Sequence, residues 1–342
     1  MRTPHMILAA AAALLLGTAA PAKAGPVLDR VKAQNTLRCG VGGSIPTFSH
    51  LDSKGEWKGL DVDYCRAVAA AVLGDPKRVN FVPLSLQQRF VALQSGEVDV
   101  LARDTVVNLS RDASLGIVFV GINFYTGAGF IVKRSAGISS TDQMNGATFC
   151  ISQGNGALVD LADHMRNKNY PYKLVQPEKF QDTFQSFLGG RCDVAIAGAA
   201  DLAGAQVMMA PNPQDYVVLE QLLSRDPYGP AVARGDWEWF SINRWVLNGL
   251  IEAEEREITQ ANVAKLATGS DDPNIRRIVG LSDDLGAHLG LKKDWMVKVI
   301  EAVGNYGEIY DRHFGAKSVV NMPRGQNNLA SKGGLLYSPP FR

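Results

Sequence analysis

The sequence predicts an α/β protein of two similar lobes, and three observations support this prediction. Strand and helix patterns alternate in the first half of the chain, the alternation restarts near residue 147, and the segment after residue 234 carries helical patterns only. Alternating strands and helices are typical of a parallel sheet with right-handed crossover connections. A chain of 342 residues is long enough for two such domains.

The first half contains three apolar strand patterns separated by two helices. Apolar residues at helical spacing predict a helix over 61–73, which ends at Gly74-Asp75-Pro76. The other predicted elements are strands at 36–42, 79–83 and 98–102 and a helix at 87–95.

The second half of the alternation contains the same predicted elements, three strands and two helices. Its predicted elements are strands at 147–151, 172–175 and 192–197 and helices at 156–167 and 181–188. Residues 89–104 and 183–198 share the order helix, glycine turn, acidic residue followed by valine, and apolar strand. This echo indicates two similar lobes, although the same order is common in other α/β proteins.

The tail carries long helices at 236–255 and 295–304 whose aromatic, apolar faces need a partner surface. We expect them to pack on the first lobe. That lobe is then discontinuous, with residues 25–131 plus 234–342, and the second lobe is 132–233. The chain crosses between lobes at 129–132 and again at 229–233, and two such crossings are typical of a hinge.

Residues 1–24 have the pattern of a cleavable signal peptide. A short polar start precedes an apolar run over 7–17 that is too short to span a bilayer, and Ala22-Lys23-Ala24 is a small-x-small cleavage site. The alternative is an ordinary N-terminal helix, but no amphipathic pattern follows. We expect export to the periplasm, with cleavage after Ala24.

Charge and cysteine content narrow the function classes. The chain has 35 basic and 34 acidic residues, a net charge of +1, which does not favour binding to nucleic acid or a membrane surface. An even cysteine count in an oxidising compartment indicates disulfides. We favour Cys39–Cys65 with Cys150–Cys192, because each pair lies within one lobe, among three possible connectivities.

A zinc site is the alternative use of these cysteines. It is disfavoured because the sequence has no C-x-x-C pair and its five histidines are scattered. We therefore expect no metal and no cofactor.

Four segments carry a family resemblance: GLDVDYCRAVAAAVLGD (59–75), RFVALQSGEVDVLAR (89–103), SRDASLG (110–116) and VGNYGEIYDRHFG (303–315). Together they resemble the periplasmic solute-binding proteins of bacterial ABC transporters, in particular the general L-amino-acid-binding subgroup. The resemblance covers nearly the whole chain after residue 24. It implies the type II periplasmic-binding-protein fold, a ligand bound between the lobes, and delivery to a membrane permease. We expect a monomer.

Candidate ligand residues in lobe one follow the strand at 98–102, because open α/β sheets bind ligands beyond the carboxyl ends of their strands. Asp104 and Thr105 come directly after it. In the family, the arginine that Arg111 matches holds the ligand's α-carboxylate, and a guanidinium binds a carboxylate in a charge-assisted bidentate pair. The alternative for Arg111 is a surface salt bridge with Asp112 or another carboxylate.

Candidate residues in lobe two form the turn before the helix at 156–167, namely Gln153, Gly154, Asn155 and Gly156. Helix N-termini bind anions, and glycine lets a ligand approach the backbone. The alternative is a plain strand-to-helix turn. Phe48 matches a family aromatic at the cleft wall, with core packing as the alternative.

One position departs from the family. Related amino-acid binders have an acidic residue after the last strand of lobe two, which accepts the ligand's ammonium, and this chain has Gly198 there. A desolvated ammonium needs an acceptor. Asp104 is the first candidate, since the internal echo gives it the place in lobe one that Gly198 has in lobe two. Asp201 is the second.

The resulting prediction is a periplasmic receptor of an ABC importer, with an amino acid or related small carboxylate as ligand, and not an enzyme. Three alternatives remain: a receptor for a carboxylate that lacks an α-ammonium, a periplasmic dehydratase, and a sensory or interaction module. The sequence shows no Ser-His-Asp order, H-E-x-x-H motif or nucleophile elbow in support of catalysis.

Overall fold

The computed structural model describes residues 25–342, which form two α/β lobes joined by a two-stranded ribbon. The predicted signal peptide, with its cleavage after Ala24, lies outside the described residues. Within 25–342 no helix has the length and apolarity needed to cross a membrane.

All twelve strands and helices predicted from periodicity are present within a few residues of their predicted ends, together with elements that were not predicted. The strands are β1 (Leu37–Val41), β2 (Ser44–Ile45), β3 (Ser49–Leu51), β4 (Trp57–Lys58), β5 (Val79–Pro83), β6 (Val100–Leu101), β7 (Ile117–Phe119), β8 (Phe124–Thr126), β9 (Ala128–Lys133), β10 (Thr148–Ile151), β11 (Lys173–Val175), β12 (Val194–Gly198), β13 (Tyr216–Val218), β14 (Asp226–Tyr228) and β15 (Ala231–Ala233). The α-helices are α1 (Pro26–Gln34), α2 (Leu60–Leu73), α3 (Arg89–Gln94), α4 (Leu109–Ser114), α5 (Ala157–Asn167), α6 (Phe180–Leu188), α7 (Ala199–Met209), α8 (Trp237–Glu255), α9 (Val263–Leu266), α10 (Pro273–Ile278), α11 (Trp295–Val303) and α12 (Tyr306–His313).

The two lobes contain sheets of the same design. Lobe one has the strand order β5-β1-β6-β15-β7, and lobe two has β11-β10-β12-β9-β13. In each sheet the first three strands are parallel, and the strand that arrives from the other lobe runs antiparallel to its neighbours. The predicted restart of the βαβαβ pattern is therefore confirmed.

The hinge is the antiparallel pair β8 and β14, in which Phe124 lies opposite Tyr228 and Thr126 opposite Asp226. Immediately after β8 the chain enters the lobe-two sheet as β9, and shortly after β14 it re-enters the lobe-one sheet as β15. The change of sheet thus comes a few residues before the predicted lobe limits at 131/132 and 233/234. Those limits stay a prediction, because strand pairing assigns strands to sheets and does not define rigid units.

The tail packs on lobe one, as its apolar helices predicted. Helices α8, α11 and α12 surround α2 and share one buried core with β1. The Tyr306 hydroxyl donates a hydrogen bond of 2.7 Å to the Asn123 carbonyl beside the hinge. The side chain of Asn327 accepts from the backbone N–H of Tyr125 at 2.6 Å and donates to its carbonyl at 2.9 Å, so the tail also holds β8.

Each lobe has its own disulfide, in the favoured pairing. Cys39 of β1 is bonded to Cys65 of α2, and Cys150 of β10 is bonded to Cys192, two residues before β12. Both bridges connect a central strand to an element packed against it. Among the described residues, no group of three or more His, Cys, Asp or Glu side chains is placed so that it could hold a metal ion.

Candidate ligand-binding site

A cavity of about 600 Å³ lies between the lobes, next to the hinge. This volume is typical of small-molecule sites. Lobe one contributes Arg89, Arg103, Asp104 and Arg111 to its wall; lobe two contributes Asn155, Gly156, Asp160 and Asp201; the hinge strand β14 contributes Tyr228. The wall is therefore strongly charged, with both signs present.

Arg111 is held by the start of α4. The Asn108 side chain caps this helix and accepts a hydrogen bond of 3.0 Å from the Arg111 N–H. The guanidinium Nη1 donates to the Val106 carbonyl at 2.8 Å, and no carboxylate of the described residues forms a salt bridge with it. The predicted alternative, a salt bridge with Asp112 or another carboxylate, is thus not formed within the described residues. Burial lowers the pKa of Arg111 below its usual range, so an anion in the cavity would be a favourable partner.

The guanidinium of Arg111 reaches across the cavity to lobe two. A Cβ atom added to Gly156 would lie 3.1 Å from Nη2 of Arg111, so the missing side chain leaves room for this approach. Helix α5 begins at the next residue, Ala157. A helix N-terminus and a guanidinium both attract anions, and here one from each lobe borders the same cavity.

Only part of the predicted lobe-two turn lines the cavity. Asn155 and Gly156 do, and the Asn155 side chain caps α5 by accepting the Ala157 N–H at 3.0 Å. Gln153 donates instead to the Gln176 carbonyl at 2.8 Å. Gly154 has a φ of +75°, and a Cβ atom added to it would lie 3.2 Å from Cγ of Gln87 in lobe one. Nε2 of Gln87 also donates across to Oε1 of Gln153 at 3.4 Å. Gln153 and Gly154 thus lie where the lobes meet at the edge of the cavity.

Two predicted ligand residues of lobe one do not line the cavity. The Thr105 hydroxyl is buried and donates to the Arg103 carbonyl at 2.7 Å. Phe48 is fully buried in the aromatic core and packs on Tyr228, which does line the cavity, with 5.7 Å between the ring centroids. For Phe48 this is the core packing that the sequence left as the alternative. Both residues support the wall from behind.

Carboxylates gather at the hinge end of the cavity. The Asp104 N–H donates to Asp61 at 2.9 Å, and Arg103 lies 3.3 Å from Oδ1 of Asp104. The Tyr228 hydroxyl donates to Oδ2 of Asp201 at 3.2 Å. Burial, with the Asp104 charge as second cause, raises the pKa of Asp61 to about 7 and raises the pKa of Asp201. This end of the cavity is suited to a cation.

Sequence reasoning missed several residues of this region, among them Arg89, Asp61 and Tyr228. Arg89 lies at the start of α3 and is 2% exposed, and its Nε has no hydrogen-bond partner among the described residues. Asp61 begins the apolar helix pattern of α2. A charged residue on the apolar face of a helix is the signal that could have identified both. Tyr228 lies in a segment without periodicity, and no comparable signal marks it.

This chain matches known proteins over most of its length. Residues 37–144 match the family described as bacterial extracellular solute-binding proteins, family 3. The general L-amino acid-binding periplasmic protein AapJ of Rhizobium johnstonii is 40% identical over 339 residues, covering 98% of this chain and 99% of the relative. The glutamate/glutamine/aspartate/asparagine-binding protein BztA of Rhodobacter capsulatus is 41% identical, covering 97% of each.

Solved structures show the same similarity. An ABC transporter periplasmic binding protein from Brucella ovis with glutathione bound has a TM-score of 0.89 and 45% identity, over 92% of this chain and 99% of that chain. A cysteine-binding protein from Campylobacter jejuni, 23% identical with a TM-score of 0.59 over 72% of this chain and 96% of that chain, shares the fold.

Proposed function

The chain belongs to the bacterial extracellular solute-binding proteins of family 3, and from this we propose that it binds an amino acid or related small carboxylate between its lobes and delivers it to the permease of an ABC importer. Three of the four named proteins bind, by their descriptions, general L-amino acids, acidic amino acids with their amides, and glutathione. All of these ligands carry a carboxylate and an ammonium.

The observation that carries the proposal is the position of Arg111. Its guanidinium comes from lobe one, faces the N-terminus of α5 in lobe two at Gly156, and has no internal carboxylate partner among residues 25–342. A ligand carboxylate bound there contacts both lobes at once. Binding therefore favours the closed arrangement, because a ligand shifts a conformational equilibrium toward the state that it contacts more extensively.

Several more specific statements belong to the same proposal. The protein works in the periplasm after loss of residues 1–24, it acts as a monomer, and it binds its solute without catalysing a reaction or contacting nucleic acid. The proposal also includes the predicted limits between the lobes, at 131/132 and 233/234. Full-length similarity to binding proteins of ABC transporters supports the receptor reading over a dehydratase or a sensory module.

A ligand panel tests the proposal. Purified protein is titrated calorimetrically and by thermal shift with the L-amino acids, glutathione, organic acids without an ammonium, and sugars as controls. At 100 times its Kd a ligand that binds only the folded state stabilises it by about 2.7 kcal/mol. We expect this stabilisation from at least one amino acid or small peptide and from no sugar. Absence of any response to the carboxylates would contradict the proposal.

A further inference from the structure

Among the described acids that line the cavity, Asp201 is the most deeply buried, and no basic side chain pairs with its charge. It is the third residue of α7, lines the cavity and is 4% exposed. Its Oδ2 accepts the Tyr228 hydroxyl, whereas its Oδ1 has no hydrogen-bond partner among the described residues. No lysine, arginine or histidine of the described chain forms a salt bridge with it.

A buried carboxylate that has no ion-pair partner is favoured only when it binds a proton or a cation. Taking an ion out of water costs several kcal/mol unless it is paired. Burial raises the pKa of Asp201 for the same reason, and the neighbouring charge of Asp104 adds to the effect. The free Oδ1 atom, in the wall of a cavity that is open to a ligand, is thus an acceptor without a donor.

The absence of a side chain at Gly198 leaves room for the Asp201 carboxylate. The Gly198 φ of −57° and ψ of 137° are accessible to any residue, so its backbone does not require glycine. A Cβ atom added there would overlap both the Tyr228 hydroxyl and the Asp201 carboxylate. The Tyr228–Asp201 pair therefore occupies the volume that a side chain at residue 198 would take.

The other acids of the cavity are less suited to the same task. Asp104 is already paired with Arg103 at 3.3 Å. Asp226 accepts the Ser224 hydroxyl at 2.7 Å and is only half-buried. Asp160 is also half-buried, and solvent weakens its attraction for a ligand charge.

We propose that Asp201 accepts the cationic nitrogen of the ligand, that Tyr228 is the positioning residue which holds its carboxylate, and that the pair replaces the acid absent at Gly198. This assignment rests on the proposed function. The ligand class is then zwitterionic: one carboxylate at Arg111 and one cationic nitrogen at the hinge end of the cavity. Carboxylates without a cationic nitrogen bind weakly, because they leave Asp201 unpaired or protonated.

The test uses matched pairs of probes that differ only at the nitrogen: L-glutamate with L-2-hydroxyglutarate, L-aspartate with L-malate, and L-alanine with L-lactate. Each pair is titrated into the wild type and Asp201→Asn. We expect the variant to lose affinity for the amino acids by about 100-fold or more and to bind the hydroxy acids as the wild type does. Tyr228→Phe should lower the amino-acid to hydroxy-acid affinity ratio in the same direction, which a purely structural defect would not do.

Asp104→Asn is the comparison variant from the same cavity, and Asp163→Asn, an exposed acid of lobe two outside the cavity lining, is the matched control. For Asp163→Asn we expect amino-acid affinities within about threefold of the wild type, as for other exposed charges. The assignment is overturned if Asp201→Asn binds amino acids normally, or if Asp104→Asn alone produces the selective loss.

A measurement without ligand separates this assignment from the proposed function. If no probe binds the wild type, the proposed function fails, and the ligand-free protein still tests Asp201. Removing an unpaired buried charge should raise the midpoint of thermal unfolding of Asp201→Asn above that of the wild type at pH 8. A lower midpoint would mean that the carboxylate has an internal partner, and it would overturn the assignment.

Discussion

The charged residues of the cavity differ in whether another residue of the protein pairs with their charge. Arg111 and Asp201 each face the cavity without an ion-pair partner in the described chain, whereas Asp104 and Arg103 satisfy one another. The sequence alone predicted Arg111 through the family motif. It ranked Asp104 above Asp201, because an echo between lobes reports the position of a residue along a strand and not which partner its side chain meets.

Replacing Arg111 by methionine should remove the carboxylate position and leave the fold intact. The side chain is close to the same length, and the single internal bond of the guanidinium goes to the Val106 carbonyl. Losing a charge-assisted bidentate pair costs about 2–5 kcal/mol of binding free energy, a fall in affinity of at least about 30-fold. Calorimetric titration of the tightest amino acid measures it. Arg225→Met, at the exposed rim of the same cavity, is the control and should bind nearly normally; equal losses in both variants would contradict the role of Arg111.

Asp61 should make the protein less stable as pH rises. Burial raises its pKa from 3.8 to about 7 in the folded protein, so between these pH values the folded state holds a proton that the unfolded state has lost. The stabilisation is complete below pH 3.8 and is lost as pH rises through about 7. Its size is at most about 4 kcal/mol, from about 1.4 kcal/mol per pH unit.

Asp61→Asn should remove most of this slope. Urea unfolding at intervals from pH 5 to 8 gives the free energy of unfolding of each protein. A slope should remain, since burial also raises the pKa of Asp99 to about 6 and raises the pKa of Asp201. Asp163→Asn, an exposed acid of lobe two, should retain the wild-type slope. An unchanged slope in Asp61→Asn would show that another group causes the decline.

At the scale of elements, periodicity predicted the βαβαβ units of both lobes nearly to their ends, because strands buried on both faces and amphipathic helices leave strong patterns. It did not predict β8, β14 or the small three-stranded sheet formed by β2, β3 and β4. These strands have two or three residues each, too few for a period to be visible. The hinge is built from two of them, so its exact place could not be read from the sequence.

The two disulfides should stabilise the two lobes separately. The bridges span 26 and 42 residues, each within one lobe, and loops of these lengths correspond to about 3–4 kcal/mol each in the chain-entropy model. In Cys150→Ala/Cys192→Ala we expect the unfolding transition of lobe two to move to lower urea while lobe one keeps its own. Fluorescence and circular dichroism, with and without a reductant, follow both transitions. In Cys39→Ala/Cys65→Ala the order should reverse; a common shift of both lobes in either variant would contradict this.

At the scale of the whole molecule, the sequence predicted that lobe one is discontinuous and that the tail returns to it. It could not predict that the tail reaches the hinge. Asn327 and Tyr125 are 202 residues apart, and a bond from one side chain to a backbone leaves no periodic trace. Tyr125 lies opposite Pro227 in the ribbon, so its own N–H and carbonyl are directed to Asn327 on the outer side.

Asn327→Ala should loosen the hinge without touching the cavity. The loss of both bonds leaves a backbone donor and acceptor of β8 without protein partners, which costs about 1–3 kcal/mol. We expect lower stability, a larger radius of gyration for the ligand-free protein in small-angle scattering, and weaker ligand binding. Asn328→Ala, whose side chain bonds only within residues 328–332, is the control. A scattering profile identical to that of the wild type would refute a role of Asn327 in the hinge.

The strand order also fixes the sequence in which the lobes can be finished as the chain appears from its N-terminus. The sheet of lobe two is complete once β13 has ended at Val218, but the sheet of lobe one still lacks β15, which must enter between β6 and β7. Lobe two, whose strands begin second along the chain, therefore has all the strands of its sheet before lobe one does. Throughout that interval the open edge of β6 is an unpaired strand, the kind of surface on which folding intermediates aggregate.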